Sequence, residues 1–163
     1  MKESLALKVV DKFGHQARCR VCGLYVEKNK ILMIKHRGLG EKGYLWSPPG
    51  GGVIYGSSLK ENLKREFLEE TGLEIKVQKF LFVHEFLNNP LHAIELFFEV
   101  EKIGGEIGIG SDPEMDQKNQ IIEEVKMLSF EELKLENKLN LHNILWDCQS
   151  INDLLKMRGY FNY

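Results

Sequence analysis

Acidic side chains occupy the apolar face of a helix that the sequence predicts over residues 58–71. On a helical wheel of about 100° per residue, the stripe that contains Phe67 should pack on the rest of the protein. Glu66 and Glu70 fall inside this stripe, one turn apart, and Glu69 lies at its edge. Like charges four residues apart repel each other, and an unpaired charge is costly to bury. A positive charge is therefore needed near these carboxylates.

Two sources of positive charge are available to the helix. Its lysines point away from the apolar stripe. Arg65 lies four residues from both Glu61 and Glu69, so it is spaced to hold them on the flank of the helix. That spacing does not direct it to Glu66 or Glu70. The alternative is a hard divalent cation bound by oxygen ligands, as Mg²⁺ prefers, and the pattern favours this metal site over surface charge.

A proline- and glycine-rich segment, residues 48–52 (PPGGG), precedes the helix. Two prolines followed by three glycines cannot continue a helix or a central strand, and glycine lets a ligand approach the backbone closely. Ser58 and Glu61 predict a capping box at the start of the helix, and Gly72 supplies its end. The amides of this loop and the N-terminus of the helix would suit a phosphate group.

Apolar patterns on both sides of this region predict a mixed sheet with helices on its faces. Runs of apolar and β-branched residues predict strands at residues 17–26, 31–35, 75–86, 92–101 and 121–128. A second capping box at Ser129 and Glu132 opens a short helix, and apolar positions at helical spacing predict another over about residues 140–157. This order of elements predicts one α/β (α+β) domain over residues 1–163, with its core at about residues 17–133.

The loop and the helix together resemble the Nudix box, the signature of the Nudix hydrolase family. That box is Gly, five residues, Glu, seven residues, then Arg-Glu-apolar-any-Glu-Glu-any-Gly-apolar. Gly51 and residues 65–73 (REFLEETGL) stand at this spacing, whereas Ser57 occupies the position of the first Glu. The resemblance implies an α/β/α sandwich with a mixed central β-sheet, in which the box forms a loop–helix–loop motif.

The same resemblance implies a reaction and roles for individual residues. The reaction is Mg²⁺-dependent hydrolysis, with Mn²⁺ as a possible substitute, of the pyrophosphate linkage in a nucleoside diphosphate linked to another group X, as in a nucleoside triphosphate or a nucleotide sugar. The backbone carbonyl of Gly50 and the carboxylates of Glu69 and Glu70 would bind the metal. Glu66 would be a further ligand or the general base, and Arg65 would orient a carboxylate.

Two further parts of the sequence offer candidates for the site. Family members often take a last ligand or base from the loop that corresponds to residues 103–120, whose acids here are Glu106, Asp112, Glu114 and Asp116. We favour Glu114 as a metal ligand, and a simply solvated loop is the alternative. Arg37 and the amides of Gly51 and Gly52 are candidates for binding phosphate, and a solvated strand end is the alternative for Arg37.

Ser57 supports a second hypothesis about function. In the family, the Glu at this position commonly supports the box Arg or the water shell of the metal, and a serine carries no charge. The alternative function is therefore a catalytically attenuated, Nudix-like module that binds a nucleotide or has a regulatory role. The three retained glutamates favour catalysis, because a binding module has less need of crowded carboxylates.

Composition narrows the partners and the compartment. The formal net charge of −2 argues against the broad basic surface that a binder of polymeric nucleic acid uses, so we expect a small nucleotide-type substrate. No apolar run approaches the roughly 18 residues that span a bilayer, and the N-terminus does not resemble a signal peptide. We therefore expect no membrane partner and a cytoplasmic location, where the three cysteines would stay reduced.

Three remaining features have ordinary interpretations. Cys19 and Cys22 form a C-x-x-C on a predicted strand, which places them on opposite faces and disfavours a redox pair or a zinc site. His84 and His92 also lie on predicted strands, where we expect ordinary packing or surface histidines. The aromatic tail, residues 159–163, could dock on its own domain or on a second subunit of a homodimer, and the sequence does not choose.

Overall fold

The structure of the protein is a computed structural model that describes residues 4–113, 115, 117 and 120–163. Its helices are α1 (Leu5–Phe13), α2 (Leu59–Thr71), α3 (Phe130–Lys134) and α4 (Ile151–Lys156). Its strands are β1 (Gln16–Glu27), β2 (Lys30–Arg37), β3 (Tyr44–Ser47), β4 (Gly50–Gly52), β5 (Leu73–Asn88), β6 (Leu91–Gly105), β7 (Ile122–Ser129) and β8 (Gly159–Phe161). Every predicted strand is present, and β3, β4 and β8 are additional to the prediction.

The strands of the described residues form one mixed, eight-stranded sheet in the order β3-β2-β1-β6-β5-β8, with β4 paired to β1 and β7 paired to β2. β1 runs parallel to β6 and antiparallel to β2 and β4. Residues 20–22 of β1 lie opposite residues 50–52 of β4, so the central strand directly holds the glycine-rich segment. The predicted mixed sheet is confirmed.

Helices cover both faces of this sheet. Along β1, Val21 and Tyr25 belong to an apolar cluster with Leu63 and Phe67 of α2. Leu24 points to the other face of β1, because side chains alternate along a strand. It belongs to a second cluster that includes side chains of α3, α4 and the segment between them. The two clusters lie on opposite faces, which gives the expected helix–sheet–helix sandwich.

Local sequence signals explain where α2 begins and ends. The Ser58 side chain accepts a hydrogen bond from the Glu61 amide, and the Glu61 carboxylate accepts one from the Ser58 amide. The helix ends at Gly72, whose φ of 75° is left-handed and favours glycine. An equivalent box at Ser129 and Glu132 opens α3. Both predicted capping boxes are confirmed.

The predicted helix over residues 140–157 is wrong. This segment instead contains two 3₁₀ turns, Lys138–Asn140 and Asn143–Leu145, followed by the short helix α4. The side chain of His142 caps the start of the second turn, and that of Ser150 caps the start of α4. These caps interrupt the helical path of the backbone at two places. Five of the six apolar positions behind this prediction are buried and Leu155 is partly buried, so their spacing indicated burial and not a continuous helix.

The N-terminal helix α1 is not predicted by the sequence pattern. Ser4 caps it by accepting a hydrogen bond from the Leu7 amide. Val9 is its one buried residue, so the apolar periodicity that predicts other helices is weak here. Within the described ranges, no helix is long and apolar enough to cross a lipid bilayer.

The aromatic tail docks on its own domain. Strand β8 pairs in parallel with β5 and extends the sheet. The Phe161 ring packs edge-on against Phe82, and the Tyr163 ring stacks on His84 with centroids 5.9 Å apart. The hydroxyl of Tyr160 hydrogen-bonds to the Glu85 carboxylate. Of the two docking sites that the sequence left open, the tail's own domain and a second subunit, the tail occupies the first.

Candidate active site

A cavity of roughly 590 Å³ lies where α2, β4 and the start of β1 meet. Its walls include the predicted box residues Gly50, Gly51, Glu66 and Glu70, together with Arg20 and Asp112, which the predicted site lacked or left open. Pockets of this size accommodate small organic ligands. The predicted loop–helix motif therefore borders a space large enough for a nucleotide-type molecule.

Two carboxylates of α2 face this cavity from the buried side of the helix. Glu66 and Glu70 are each only 4% exposed. One oxygen of Glu70 accepts a hydrogen bond from the Gly50 amide at 3.1 Å. A Cβ atom on Gly51 would lie 2.3 Å from the carboxyl carbon of Glu66, so the missing side chain makes room for that carboxylate. The glycine run thus allows the acidic face of α2 to pack directly on the backbone of β4.

Electrostatics at Glu70 favour a bound cation. Burial raises the pKa of Glu70, and the adjacent Glu66 raises it further. The Gly50 amide and Arg20 act in the opposite direction, but the pKa remains well above its ordinary value of 4.5. Asp112 adds to the repulsion. Closely spaced carboxylate oxygens whose ionised forms are destabilised in this way suit a hard divalent cation.

Arg65 pairs differently from the sequence prediction. Its guanidinium donates to Glu66 at 2.7 Å and to Glu69 at 2.8 Å. The expected pairing with Glu69 is present, but the expected pairing with Glu61 is replaced, because the Glu61 carboxylate is used in the capping box. The flexible arginine side chain reaches the neighbouring Glu66, which the spacing rule alone does not consider. Arg65 therefore holds one carboxylate of the cavity wall and one carboxylate beside it.

Some of the predicted site residues line the cavity, and others lie beside it or away from it. Among the residues of the described ranges, Gly50, Gly51, Glu66 and Glu70 line the cavity, whereas Arg37, Gly52, Arg65 and Glu69 do not. Glu69 is held beside the cavity by Arg65. Arg37 is exposed, and its Nε donates to the carbonyl of Gln120 at 2.7 Å. Its neighbour His36 lines the cavity instead, and burial lowers the pKa of that imidazole to about 4.

The loop after β6 packs on the C-terminal end of α2. The amides of Gly108, Gly110 and Ser111 donate to the carbonyls of Thr71, Glu70 and Glu69, each at 3.0 Å. A Cβ atom on Gly110 would lie 1.9 Å from the Glu69 carbonyl oxygen, so the contact requires glycine. These bonds satisfy helix carbonyls that otherwise have no partner.

The acids of this loop have different outcomes. The capping contacts bring Asp112 to the cavity wall, and it is the loop acid that lines the cavity within the described part of the chain. Glu106 is exposed. Glu114, the favoured candidate, and Asp116 lie outside the described residues. Asp112 is therefore a structural candidate for the last acidic group, and Glu114 stays a prediction.

Asn62 is a residue that the sequence reasoning missed. It is fully buried, and its side-chain oxygen accepts from the Ile54 amide at 2.9 Å. Its side-chain nitrogen donates to the carbonyls of Ser57 and Ser58. Arg65 also reaches its oxygen, at 3.3 Å. The available signal was its place on the apolar stripe of α2, one turn before Glu66, where a polar residue needs partners.

We expect Ser57→Glu to change kcat/KM by less than about fivefold, because a partly exposed ion pair contributes at most about 1 kcal/mol. Arg65 is already held by two carboxylates, and Ser57 already contacts Glu61, which would repel a new acid. Steady-state kinetics measure this effect. A large rate gain in Ser57→Glu would show that the natural protein is attenuated.

Asn62→Ala should reduce the free energy of unfolding by about 2 kcal/mol or more, because it leaves buried backbone groups unpaired. Urea unfolding of this variant and of the natural protein measures the effect.

A second buried cluster adjoins the cavity. His84, expected to be an ordinary packing or surface residue, is fully buried and hydrogen-bonds to Glu95 at 3.0 Å. His142 hydrogen-bonds to the same Glu95 oxygen at 2.8 Å. His92 is partly exposed and pairs with Glu85, as a surface histidine would. The prediction for His84 is therefore incomplete, because its partners come from β6 and from the segment before α4.

The three cysteines are free thiols. Cys19 is exposed, whereas Cys22 and Cys148 are buried. Burial raises the pKa of the Cys22 thiol well above its ordinary value. Cys19 and Cys22 are ordinary thiols of strand β1, as the sequence predicted.

Sequence relatives support an assignment to a family. A family model for the NUDIX domain matches residues 14–146. The chain is 38% identical to an ADP-ribose pyrophosphatase of Methanocaldococcus jannaschii over 94 residues, which are 56% of this chain and 55% of the relative. It is 45% identical to an 8-oxo-dGTP diphosphatase of Buchnera aphidicola subsp. Schizaphis graminum over 58 residues, which are 34% of this chain and 42% of the relative. The chain thus spans about half the length of these curated relatives.

Solved structures share the fold. A UDP-X diphosphatase superposes with a TM-score of 0.63 and 21% identity, over 90% of this chain and 68% of the other. A NUDIX hydrolase from Nitrosomonas europaea gives a TM-score of 0.64 and 18% identity, over 85% of this chain and 88% of the other. At these identities the likeness concerns the fold alone. Because the NUDIX domain model covers most of the sequence, and the glycine run and acidic helix it contains border the cavity, the chain belongs to the Nudix family.

Proposed function

We propose that the protein is a divalent-metal-dependent hydrolase that cleaves the pyrophosphate linkage of a nucleoside diphosphate linked to a group X. One observation carries this proposal: Glu66 and Glu70 are buried side by side against the glycine run of β4, in the wall of a nucleotide-sized cavity. Buried carboxylates that repel each other are destabilising without a cation, and clusters of this kind mark functional sites.

The donor set fits Mg²⁺, with Mn²⁺ as a substitute. Glu66, Glu70 and the carbonyl of Gly50 would hold the ion, and Glu69 would join them if its side chain turned from Arg65. Carboxylate and carbonyl oxygens are the ligands that such hard ions prefer. A bound ion in this class of site neutralises the charge of the phosphates and makes water easier to deprotonate.

The residues of the chain would divide the remaining work. Arg65 holds Glu66 in one orientation, and Gly51 leaves the space that this orientation needs. Glu66 is then a candidate base for the attacking water, and Asp112 and Glu114 are the candidates from the loop. The glycine backbone of β4 offers a surface that phosphate can approach closely, so Gly51 and Gly52 stay proposed substrate contacts. Arg37 would need to turn from the Gln120 carbonyl to reach a phosphate.

The relatives suggest which substrates to test first. The relative from Methanocaldococcus jannaschii is named for ADP-ribose and the relative from Buchnera aphidicola for 8-oxo-dGTP, and a solved structure that shares the fold is named for UDP-X. All are small nucleotides with a pyrophosphate linkage, as the proposed reaction requires. A partner of this size also agrees with a cavity of roughly 590 Å³.

A hydrolysis screen tests the proposal. The purified protein would be incubated with ADP-ribose, UDP-sugars, 8-oxo-dGTP, ordinary nucleoside triphosphates and dinucleoside polyphosphates, with Mg²⁺, with Mn²⁺ and with EDTA. We expect one class to be cleaved at the pyrophosphate, with mononucleotide released, and activity to disappear in EDTA. Hydrolysis that persists in EDTA, or no hydrolysis of any class, would contradict the proposal.

Ser57 keeps one alternative function in view, an attenuated module that binds nucleotides. The structure weakens the reason for this alternative, because Arg65 is held without an acid at position 57. Calorimetric binding of the same nucleotides separates the two functions. Tight binding without turnover would favour the module, whereas turnover with the metal dependence described above favours the hydrolase.

A further inference from the structure

We propose that Arg20 binds a phosphate group of the substrate in this cavity, and that Glu95, anchored by His84 and His142, positions it. This inference rests on the proposed function and adds to it a cationic binding residue outside the box. Arg20 lies on β1, and the parallel register between β1 and β6 places it opposite Glu95. Both residues line the cavity with Glu66 and Glu70.

Arg20 has hydrogen-bonding capacity left for a ligand. One terminal nitrogen donates to the Gly50 carbonyl at 3.1 Å, and the other lies 4.0 Å from a Glu95 oxygen. Its Nε is buried and has no hydrogen-bond partner among the described residues, so the donors open to a ligand are those of the two terminal nitrogens, on a side chain that is 28% exposed. A guanidinium carries five N–H donors in a planar fork, which matches two oxygens of one phosphate. The side chain thus presents an incompletely satisfied cation to a cavity that should receive an anion.

Glu95 is a buried anion fixed by two imidazoles. It is 4% exposed, and one of its oxygens accepts from His84 Nδ1 and from His142 Nε2. Burial raises the pKa of Glu95, but His142, His84 and Arg20 oppose burial and leave the pKa below its ordinary value. The second oxygen is the one that faces Arg20. Glu95 is therefore an ionised group with one side anchored and the other side directed at the guanidinium.

The cluster of His84, Glu95 and His142 also has the composition of a metal site, with ligand atoms within 4.8 Å of one another. The Ile144 amide argues against this interpretation, because it donates to His142 Nδ1 at 3.3 Å. That bond requires an unprotonated Nδ1, so the proton of the neutral ring lies on Nε2 and faces Glu95. A metal on Nε2 would move the proton to Nδ1, where it would oppose the amide. The geometry favours a hydrogen-bonded anchor.

The anchor also keeps Arg20 away from the carboxylates of α2. Arg20 interacts electrostatically with Glu66 and Glu70 as well as with Glu95. Without a fixed anion on β6, the guanidinium would be drawn towards the acids that the metal needs. With Glu95 in place, its charge stays beside the Gly50 carbonyl, next to the expected position of the metal-bound pyrophosphate. Arg20 is thus a binding residue, and Glu95, His84 and His142 are positioning residues.

The test measures binding of α,β-methylene-ADP, whose bridging carbon resists hydrolysis, by calorimetry in the presence of Mg²⁺. We expect Arg20→Gln to raise Kd by about 10- to 100-fold, because charge-assisted bonds to phosphate are lost. Arg20→Lys keeps the charge without the fork, so its loss should be smaller. Lys79→Gln removes an exposed cation on β5 that pairs with Glu99 and should leave Kd unchanged. Thermal melting of each variant reports whether it is folded.

Positioning is tested by coupling and by rescue. Glu95→Gln should weaken binding in the natural background and have little further effect in Arg20→Gln, as a double-mutant cycle detects. His142→Gln can still donate to Glu95 and should bind better than His142→Leu. An unchanged Kd in folded Arg20→Gln, or additive effects of the two substitutions, would overturn the inference. Arg20-dependent binding without hydrolysis of any substrate would support it while contradicting the proposed reaction.

Discussion

Glu70→Gln should reduce hydrolysis by about 10³-fold, the size of effect seen when a group that stabilises transition-state charge is removed from an active site. Glutamine keeps the shape of the side chain, and its amide oxygen can still accept the Gly50 N–H bond. It cannot supply the negative charge that a metal ligand needs. The measurement is kcat/KM for the best substrate of the screen at saturating Mg²⁺.

A matched control for this variant is Glu131→Gln in α3. Glu131 is exposed and does not line the cavity, so its loss of charge should leave kcat/KM unchanged. Activity that survives in Glu70→Gln would remove Glu70 from the metal site. Loss of activity in both variants would indicate a general charge effect and not a specific ligand.

The same substitution should make the stability of the metal-free protein less sensitive to pH above about pH 5. The pKa of Glu70 is raised in the folded state, so its contribution to stability is present below the ordinary value of 4.5 and is lost as pH rises through the folded value. In EDTA, the Tm of the natural protein should therefore fall more between about pH 5 and pH 8 than the Tm of Glu70→Gln. Mg²⁺ should raise the natural protein's Tm and have a smaller effect on the variant. Identical pH curves for both proteins in EDTA would contradict the charge conflict at this site.

The second large effect is expected at Gly51. In Gly51→Ala, the new Cβ would lie 2.3 Å from the Glu66 carboxyl carbon and 2.4 Å from one of its oxygens. Glu66 must then move by more than about 1 Å, a misplacement that can cost about 10²-fold in kcat. Circular dichroism should show an unchanged fold, because the clash is with a side chain.

Gly108→Ala is the matched control for Gly51→Ala. An added Cβ at Gly108 meets no atom within 4 Å, and its amide can still donate to Thr71. Its kcat should equal that of the natural protein. Full activity in Gly51→Ala would mean that the orientation of Glu66 observed here is not the one used in the reaction.

Local signals were sufficient to predict the motif that borders the cavity. Ser58, Glu61 and Gly72 fix the ends of α2 through backbone contacts within a few residues, and such contacts can be inferred from sequence. The spacing of apolar residues along the helix predicts which of its faces is buried. The sequence therefore identified Glu66 and Glu70 as acids on the packed face, and the structure places them there.

Other parts of the site depend on contacts between distant residues. Arg20 meets Glu95 through the register of β1 and β6, and His142 reaches Glu95 from 47 residues away. The pattern of apolar residues within one segment does not show which residues of two distant strands lie opposite each other. The predicted helix over residues 140–157 was wrong for a related reason. Side-chain caps at His142 and Ser150 divide this buried, apolar segment into short turns and a short helix. Tertiary packing, not helix propensity, sets that path.

The segment of residues 108–111, which lies after β6, is tied to the end of α2 by three of its amides. Its backbone cannot swing outward without leaving the last carbonyls of the helix unpaired, including that of Glu70. Opening of the loop and fraying of the helix end are therefore one cooperative event with a shared free energy.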